Sequence, residues 1–162
     1  MASDIIIAGA GIAGLTTALA LSKFGLSCTI IEKHGGQNEV GAGIQVPPNA
    51  THIIDQLGLL PALSEKSSIP EAICLGDAAT GKILVRLPAN QSTSEPPLLT
   101  TNRALLHAVL YKAAQIDPLI SLKTNCALSQ VTENQAGVSI DASHDMPDSP
   151  LHGEILISAD GI

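Results

Sequence analysis

Aromatic residues are almost missing from this chain, whose 162 residues include Phe24, Tyr111 and no tryptophan. No aromatic cluster is available to stack against a planar ring, whether base or substrate. Basic residues are scarce as well, eight Lys and Arg against fifteen Asp and Glu, for a formal net charge of −7. Polyanions are held by clustered positive charge, so the composition argues against nucleic acid and anionic membrane surfaces as partners. Cysteine is limited to Cys28, Cys74 and Cys126, widely spaced and odd in number. That pattern fits neither a disulfide framework nor a metal-ligand pair, and a reducing, cytoplasmic setting is the simplest expectation. The histidines, His34, His52, His107, His144 and His152, are scattered without the spacing of a metal site, and none is given a catalytic role. No apolar run reaches the roughly 20 residues of a membrane span. The apolar start is unlike a signal peptide, because Asp4 precedes it, no basic leader is present and Gly9, Gly11 and Gly14 interrupt it.

What is present is a core and one informative turn. Hydrophobic residues make up 45% of the chain, enough to bury the interior of one domain or of one and a half small ones. The apolar run Ile5-Ile6-Ile7-Ala8 leads into Gly9-Ala10-Gly11-Ile12-Ala13-Gly14, which opens a helical stretch carrying Leu15, Leu19 and Leu21 with small Ala13, Ala18 and Ala20 between them. Gly25 ends that helix, Ser27–Ile31 follows as a short β-branched strand, and Glu32 closes it. Strand, glycine turn, helix, strand and acid in that order describe a mononucleotide-binding βαβ unit. Gly9 permits the turn, Gly11 clears a path for a pyrophosphate, and Gly14 lets the helix lie close on the sheet. The phosphates would meet the free N–H groups at the helix start near Ile12, and Glu32, with Lys33 beside it, would accept the ribose hydroxyls.

Turn signals organise the remainder. The polar loop Lys33–Glu39 is followed by Val40–Val46, rich in small residues, and by a stop at Pro47-Pro48. Asn49 is expected to cap a helix through Leu57, with Ile53, Ile54 and Leu57 facing inward and Gly58 as its left-handed terminator. Glu71–Asp77 and Lys82–Leu87 are expected to form a hairpin through Ala78–Gly81, with a Ser/Pro-rich loop from Pro88 to Pro97 after it. From Asn102, the residues Leu105, Leu106, Val109, Leu110 and Ala113 describe an amphipathic helix ending before Asp117-Pro118. Leu119–Lys123, Ala127–Thr132, Gly137–Ala142 and Glu154–Ala159 are expected to form a β-meander, with Ser143–Pro150 as an exposed hairpin tip.

Joined together, these pieces carry a resemblance. The glycine fingerprint continues through Ala18 and Gly25, a spacing that resembles the FAD-binding variety of the fold. Gly41-Ala42-Gly43-Ile44-Gln45-Val46-Pro47-Pro48-Asn49-Ala50, Arg103 in Asn102-Arg103-Ala104-Leu105-Leu106, and Ser158-Ala159-Asp160-Gly161-Ile162 are similar, in family order, to segments of class A flavoprotein monooxygenases of the salicylate and 3-hydroxybenzoate hydroxylase type. The resemblance implies an α/β fold, a Rossmann-like, glutathione-reductase-like FAD-binding βαβ domain with a β-meander and part of a substrate-domain sheet at about residues 71–100. It implies FAD as cofactor, NADH or NADPH as co-substrate, and a small aromatic substrate hydroxylated with oxygen. Gly9, Ala10, Gly11, Ile12, Ala13 and Gly14 would hold the FAD pyrophosphate. Glu32 would hold the adenosine ribose, with Lys33 also at the cofactor. Ala42, Gly43 and Gln45 would lie near the flavin end, Arg103 at the ribityl or phosphate region, and Asp160 against both FAD and the passing nicotinamide cofactor. In this family the protein supplies placement and exclusion of water while the cofactor supplies the chemistry.

Several alternatives stand beside that reading. Arg103 at a helix start opposes the helix dipole, which a ligand phosphate would explain, although a solvated surface arginine would fit too. Asp160 in Asp-Gly is also a common turn residue. Family members run on well past the point where this chain stops, so the chain is expected to be the N-terminal part of such a hydroxylase, and nothing in its residues identifies a substrate pocket or a catalytic base. The isolated chain is then expected to hold FAD weakly, because strands central to the whole fold would stand as edges. The second reading is a truncated, non-catalytic nucleotide-binding remnant. A third, an NAD-dependent dehydrogenase domain, is opposed by the longer fingerprint and by Gly41–Ala50.

Overall fold

A computed structural model describes residues 5–35, 42–90, 96–135, 137–142 and 150–161. Among the described residues the order is β1 (Ile5–Ala8), α1 (Ile12–Lys23), β2 (Cys28–Ile31), β3 (Gly43–Val46), α2 (Pro48–Gln56), α3 (Leu60–Ser64), β4 (Ala72–Gly76) and β5 (Ile83–Pro88). There follow β6 (Leu99–Asn102), α4 (Arg103–Ile116), β7 (Ile120–Lys123), β8 (Leu128–Asn134), β9 (Gly137–Ala142), β10 (Leu151–Gly153) and β11 (Ile155–Ser158). Gly41, residues 36–39 of the loop expected after β2, residues 91–95 of the Ser/Pro-rich loop and residues 143–149 of the expected hairpin tip lie outside the described residues. The chain divides into two compact units, Met1–Glu39 with His107–Ile162, and Val40–Leu106.

The first unit is built on a parallel sheet in the order β11-β1-β2-β7. Every residue of β1 and β2 is buried, as expected of short apolar strands covered on both faces. Side chains alternate across the sheet, so one set meets α1, whose buried residues are Gly14, Leu15, Ala18 and Leu19. The opposite set, Ile6 and Ile31, joins Cys126 and Ile140 in a buried cluster, with Ala142, Leu151 and Leu156 packed against it. That cluster ties the parallel sheet to an antiparallel sheet in the order β10-β9-β8. The α1 stripe is narrower than the sequence implies, since Ala13 is exposed and Leu21 only half-buried.

The expected four-strand meander is corrected here. β8 and β9 do pair antiparallel, but their third partner is β10, which the sequence did not announce. β7 and β11 instead become the outer strands of the parallel sheet, with Ile120 beside Cys28 and Ile155 beside Ile5. Apolar periodicity identifies a strand but not its partner, and β11 finds its partner at the other end of the chain.

The second unit holds two antiparallel pairs, β3 with β6 and β4 with β5. Neither β3 nor β6 was anticipated, because Gly43–Val46 and Leu99–Asn102 offer few apolar residues between them. α2 begins one residue before the expected cap: Pro48 is its first residue, Pro47 precedes it, and no side chain caps it. Proline has no N–H to lose at a helix start, so Pro47-Pro48 opens a helix instead of stopping one, and Pro61 sits likewise in the first turn of α3. Ile54 is buried as expected, but Ile53 is 45% exposed and Thr51 takes the inward place, its hydroxyl donating to the Pro48 carbonyl over 3.2 Å. Gly58, at φ +77°, ends the α2 region as foreseen. The β4–β5 hairpin also stands: the Asp77 carboxylate accepts the Ala79 and Thr80 N–H groups at 2.8 and 2.9 Å, and Gly81 takes φ +70°.

Candidate functional site

At the carboxyl end of β1 the chain turns while it is still held in the sheet, because the Gly9 N–H donates to the Ile31 carbonyl over 2.8 Å. Two of the three fingerprint glycines have causes within the unit. Gly9 adopts φ +102°, and a Cβ there would run into the Ala159 carbonyl and come within 2.9 Å of the Asp160 Cα. A Cβ on Gly14 would overlap the Gly9 carbonyl oxygen, so this glycine lets α1 close onto the turn. Gly11 differs. It caps α1 at φ −71° and ψ −179°, a conformation open to any residue, and a Cβ there would meet nothing within 4 Å. The space in front of Gly11 is therefore the one part of the fingerprint that no packing within the unit explains, and it lies where the first N–H groups of α1 have no intrahelical partner.

Glu32 arrives at the same turn from β2. Its Oε2 accepts the Ala10 N–H at 2.8 Å, while Oε1 accepts the His34 N–H at 2.8 Å and lies 3.2 Å from His34 Nδ1. Only 17% of the side chain is exposed. Partial burial opposes its charged form, but the N–H groups of Ala10 and His34 with the His34 ring outweigh this, and the carboxyl titrates below its usual range. A carboxylate has lone pairs for about four donors, so acceptor capacity remains. From the far side, buried His107 on α4 places Nε2 2.7 Å from the Ala10 carbonyl oxygen. Ala10, itself buried, is thus held at both its N–H and its C=O.

Beside Glu32 a cavity of about 170 Å³ is lined by Ala8, Gly9, Ile31, Glu32 and Lys33, by Cys126, Ala127 and Leu128, and by Asp160. Most of these residues lie at the carboxyl ends of β1, β2 and β11, the end of a parallel sheet at which open α/β folds bind ligands, and Cys126–Leu128 come from the loop after β7 and the first residue of β8. Two backbone links stitch the loops after β2 and β7: Asn125 N–H to the His34 carbonyl at 3.2 Å, and Cys126 N–H to the Glu32 carbonyl at 2.8 Å. The wall at residues 126–128 was missed in the sequence. Its one signal is Asn125, which takes φ +55° where an L-residue other than Asn or Asp is disfavoured. His107 was missed too, because an isolated histidine on an apolar helix face has no pattern to distinguish it.

The second unit brings Ala42, Gly43 and Arg103 together and leaves Gln45 farther along. Gly43 pairs with Asn102 and Gln45 with Thr100, and the Arg103 N–H donates to the Ala42 carbonyl over 3.1 Å. Asn102 caps α4, its Oδ1 accepting the Ala104 N–H at 2.8 Å. All four of these anticipated residues are exposed. A Cβ on Gly43 would be in ordinary contact, 3.9 Å from the Thr101 carbonyl oxygen, so the unit itself does not require glycine there either.

Among the described residues no three His, Cys, Asp or Glu side chains gather as a metal site would need. No helix among them is long and apolar enough to cross a membrane. Cys28 and Cys126 are buried and Cys74 is exposed, all as free thiols.

A parallel sheet, a glycine turn against a helix start and an acid at the end of the next strand define a dinucleotide-binding α/β fold. The chain belongs, more narrowly, to the FAD binding domain family, which it matches over residues 2–162. It is 32% identical over its full length to 3-hydroxybenzoate 6-hydroxylase 1 of Aquipseudomonas alcaligenes, covering 41% of that protein. To the 3-hydroxybenzoate 6-hydroxylase of Polaromonas naphthalenivorans it is 29% identical over 98% of the chain, covering 40% of the relative. Among solved structures, p-nitrophenol 4-monooxygenase PnpA from Pseudomonas putida superposes with a TM-score of 0.90 at 18% identity, over 99% of this chain and 41% of that one. The flavin-dependent monooxygenase PieE, solved with FAD and substrate, superposes with a TM-score of 0.82 at 20% identity, over 99% of this chain and 30% of that one. These structural likenesses speak to fold, and the chain spans about 40% of the length of the curated relatives it matches.

Proposed function

We propose that this chain holds FAD for an NADH- or NADPH-dependent monooxygenase that hydroxylates a small aromatic compound. The observation that carries the cofactor assignment is the open face of Gly11, a glycine that the unit's own packing does not require, beside an Ala10 whose N–H is already bound to Glu32. The turn Gly9–Gly14 fits an anionic diphosphate: the N–H groups of Gly9 and Ala10 are bound to Ile31 and Glu32, and those of Gly11–Gly14 lie at the positive end of α1, where a helix offers no partner of its own. Glu32 and Lys33 take the adenosine side, and the cavity they line has room for a base or sugar. Ala42, Gly43 and Gln45 serve the flavin end, Arg103 the ribityl or phosphate region, and Asp160 both cofactors. The β4–β5 hairpin, within residues 71–100, contributes to a substrate sheet, in keeping with its outward apolar residues, Leu75 at 62% exposure and Ile83, Leu84 and Leu87 at 57% each.

When bound, FAD supplies the redox chemistry, taking reducing equivalents from the nicotinamide and passing oxygen to the ring. The part left to these residues is binding and orientation. The relatives named as 3-hydroxybenzoate 6-hydroxylases support an aromatic acid as substrate class. The test is titration of the purified chain with FAD, followed by flavin fluorescence, with ADP and FMN as competitors. Displacement of FAD by ADP but not by FMN supports the adenosine-side assignment. Equal displacement by FMN, or FAD affinity unchanged in Glu32→Ala, overturns it.

A further inference from the structure

His107 is 5% exposed and its Nε2 lies 2.7 Å from the Ala10 carbonyl oxygen. A carbonyl can only accept, so Nε2 carries the proton in this contact. The ring packs beside Tyr111, one helical turn on, with centroids 5.9 Å apart. A histidine so enclosed and aimed at a single backbone atom is more than filler on an apolar helix face, where a leucine would pack without a polar group to satisfy.

What the contact controls follows from peptide geometry. In a planar trans peptide the C=O and the following N–H point in opposite directions. Holding the Ala10 carbonyl toward His107 therefore turns the Gly11 N–H away from the buried ring and adds it to the unpartnered N–H groups that begin α1. Without that hold the Ala10–Gly11 peptide is unusually easy to reverse, because Gly11 has no Cβ and accepts either backbone conformation. A reversed peptide would present an oxygen where an anion must approach. On the other side of Ala10, the bond from its N–H to Glu32 Oε2 fixes the preceding peptide.

We propose that His107 is a positioning residue for the glycine turn: by binding the Ala10 carbonyl it sets the direction of the Gly11 N–H, and with it the affinity of the turn for a diphosphate. The proposal rests on the assignment of Gly9–Gly14 to the FAD pyrophosphate. His107 itself touches no ligand in this scheme.

The experiment uses the whole chain and two variants. His107→Phe keeps the ring and its packing but deletes the donor, and His107→Gln restores a donor on a side chain of similar reach. ADP affinity is expected to fall roughly tenfold in His107→Phe, the scale of one well-placed hydrogen bond, and to recover in His107→Gln. Nitrogen-15 NMR of the ligand-free chain supplies a second readout that needs no binding. The His107 ring is expected as the Nε2–H tautomer, and the Gly11 amide resonance is expected to move in His107→Phe and return in His107→Gln. An Nδ1–H tautomer, an unmoved Gly11 amide, or ADP affinity in His107→Phe equal to that of the unaltered chain overturns the proposal, as does failure of His107→Gln to recover. Should the unaltered chain bind neither ADP nor FAD, the cofactor reading fails, while the tautomer and the Gly11 resonance still decide the role of His107 in the turn.

Discussion

Replacing each fingerprint glycine by alanine in turn separates structural from ligand-related causes. Gly14→Ala places a methyl group on the Gly9 carbonyl oxygen, with the Ala159 Cβ 3.4 Å away and no flexible side chain to yield. Overpacking of this kind costs about 1–3 kcal/mol or more. Gly9→Ala adds to its clash with the Ala159 backbone a φ of +102°, and such backbone strain costs a further ~1–3 kcal/mol. Gly11→Ala carries neither penalty, since its φ of −71° suits alanine and the methyl meets nothing within 4 Å. Restricting the unfolded chain gains it about 0.4–1 kcal/mol, and losing a good N-cap residue costs a similar amount, so the two nearly cancel.

For a chain of this size each kcal/mol moves the melting temperature by roughly 2–4 °C. Gly11→Ala should therefore melt within about 4 °C of the unaltered chain, well above both Gly9→Ala and Gly14→Ala, when ligand-free proteins are compared by calorimetry. Its FAD affinity, measured by fluorescence titration, should nevertheless fall by more than about tenfold, because the methyl occupies the approach of the diphosphate. A Gly11→Ala protein as unstable as Gly14→Ala would show that the open space is not open. One that binds FAD normally would show that the diphosphate does not come near Gly11.

Glu32 gives a pH signature. Its folded carboxyl is the stronger acid, so its contribution to stability is complete above the usual glutamate range and is lost as pH falls through the lowered value. The stability advantage over Glu32→Gln, read from urea unfolding, should shrink on acidification through the carboxylate range, and an advantage independent of pH would refute the assignment. Thiol chemistry should divide the cysteines: Cys74 reacts quickly with an aromatic disulfide reagent, while Cys28 and Cys126 wait for unfolding. Burial, then the Asp117 carboxylate, pushes the Cys28 thiol up to about 11, and rapid labelling of Cys28 in the native chain would contradict its placement. In the core, Leu15→Ala at a fully buried site should cost about 2–5 kcal/mol by the same unfolding assay. Leu75→Ala, on a side chain 62% exposed, should cost no more than about 0.5 kcal/mol, and equal losses would refute the division into inside and outside.

The legible parts of this chain were those in which local chemistry alone decides the outcome. β1, α1 and β2 follow from an apolar run, a glycine turn and a second apolar run that are contiguous in sequence. The β4–β5 hairpin follows from Asp77 and Gly81, which build its turn without outside help. What escaped was decided by partners. β6 offers only Leu99 and Thr101 to the interior and exists because β3 pairs with it. Pro47, Pro48 and Pro61 carry the same residue type at helix starts that a stop would use, and position relative to the unformed helix decides between the two. At the candidate site, glycines and an acid announce themselves by type, whereas residues 126–128 contribute as a wall whose identity the loop leaves free, and His107 acts on backbone.

The order β11-β1-β2-β7 explains why a site can be assembled from segments so far apart in the chain. β1 is central, so the loop that leaves it has the β2 loop on one side and the β11 loop on the other. The first neighbour brings Glu32 to the Ala10 N–H, and the second brings Ala159 against Gly9. The glycine at position 9 is thus imposed partly by a segment near the opposite end of the sequence, through a strand pairing of high sequence separation whose loop-closure cost is met only when β11 docks beside β1. A fingerprint that looks local is therefore completed by tertiary structure, because the wall that Gly9 is shaped to meet is supplied by the segment after the distant strand β11.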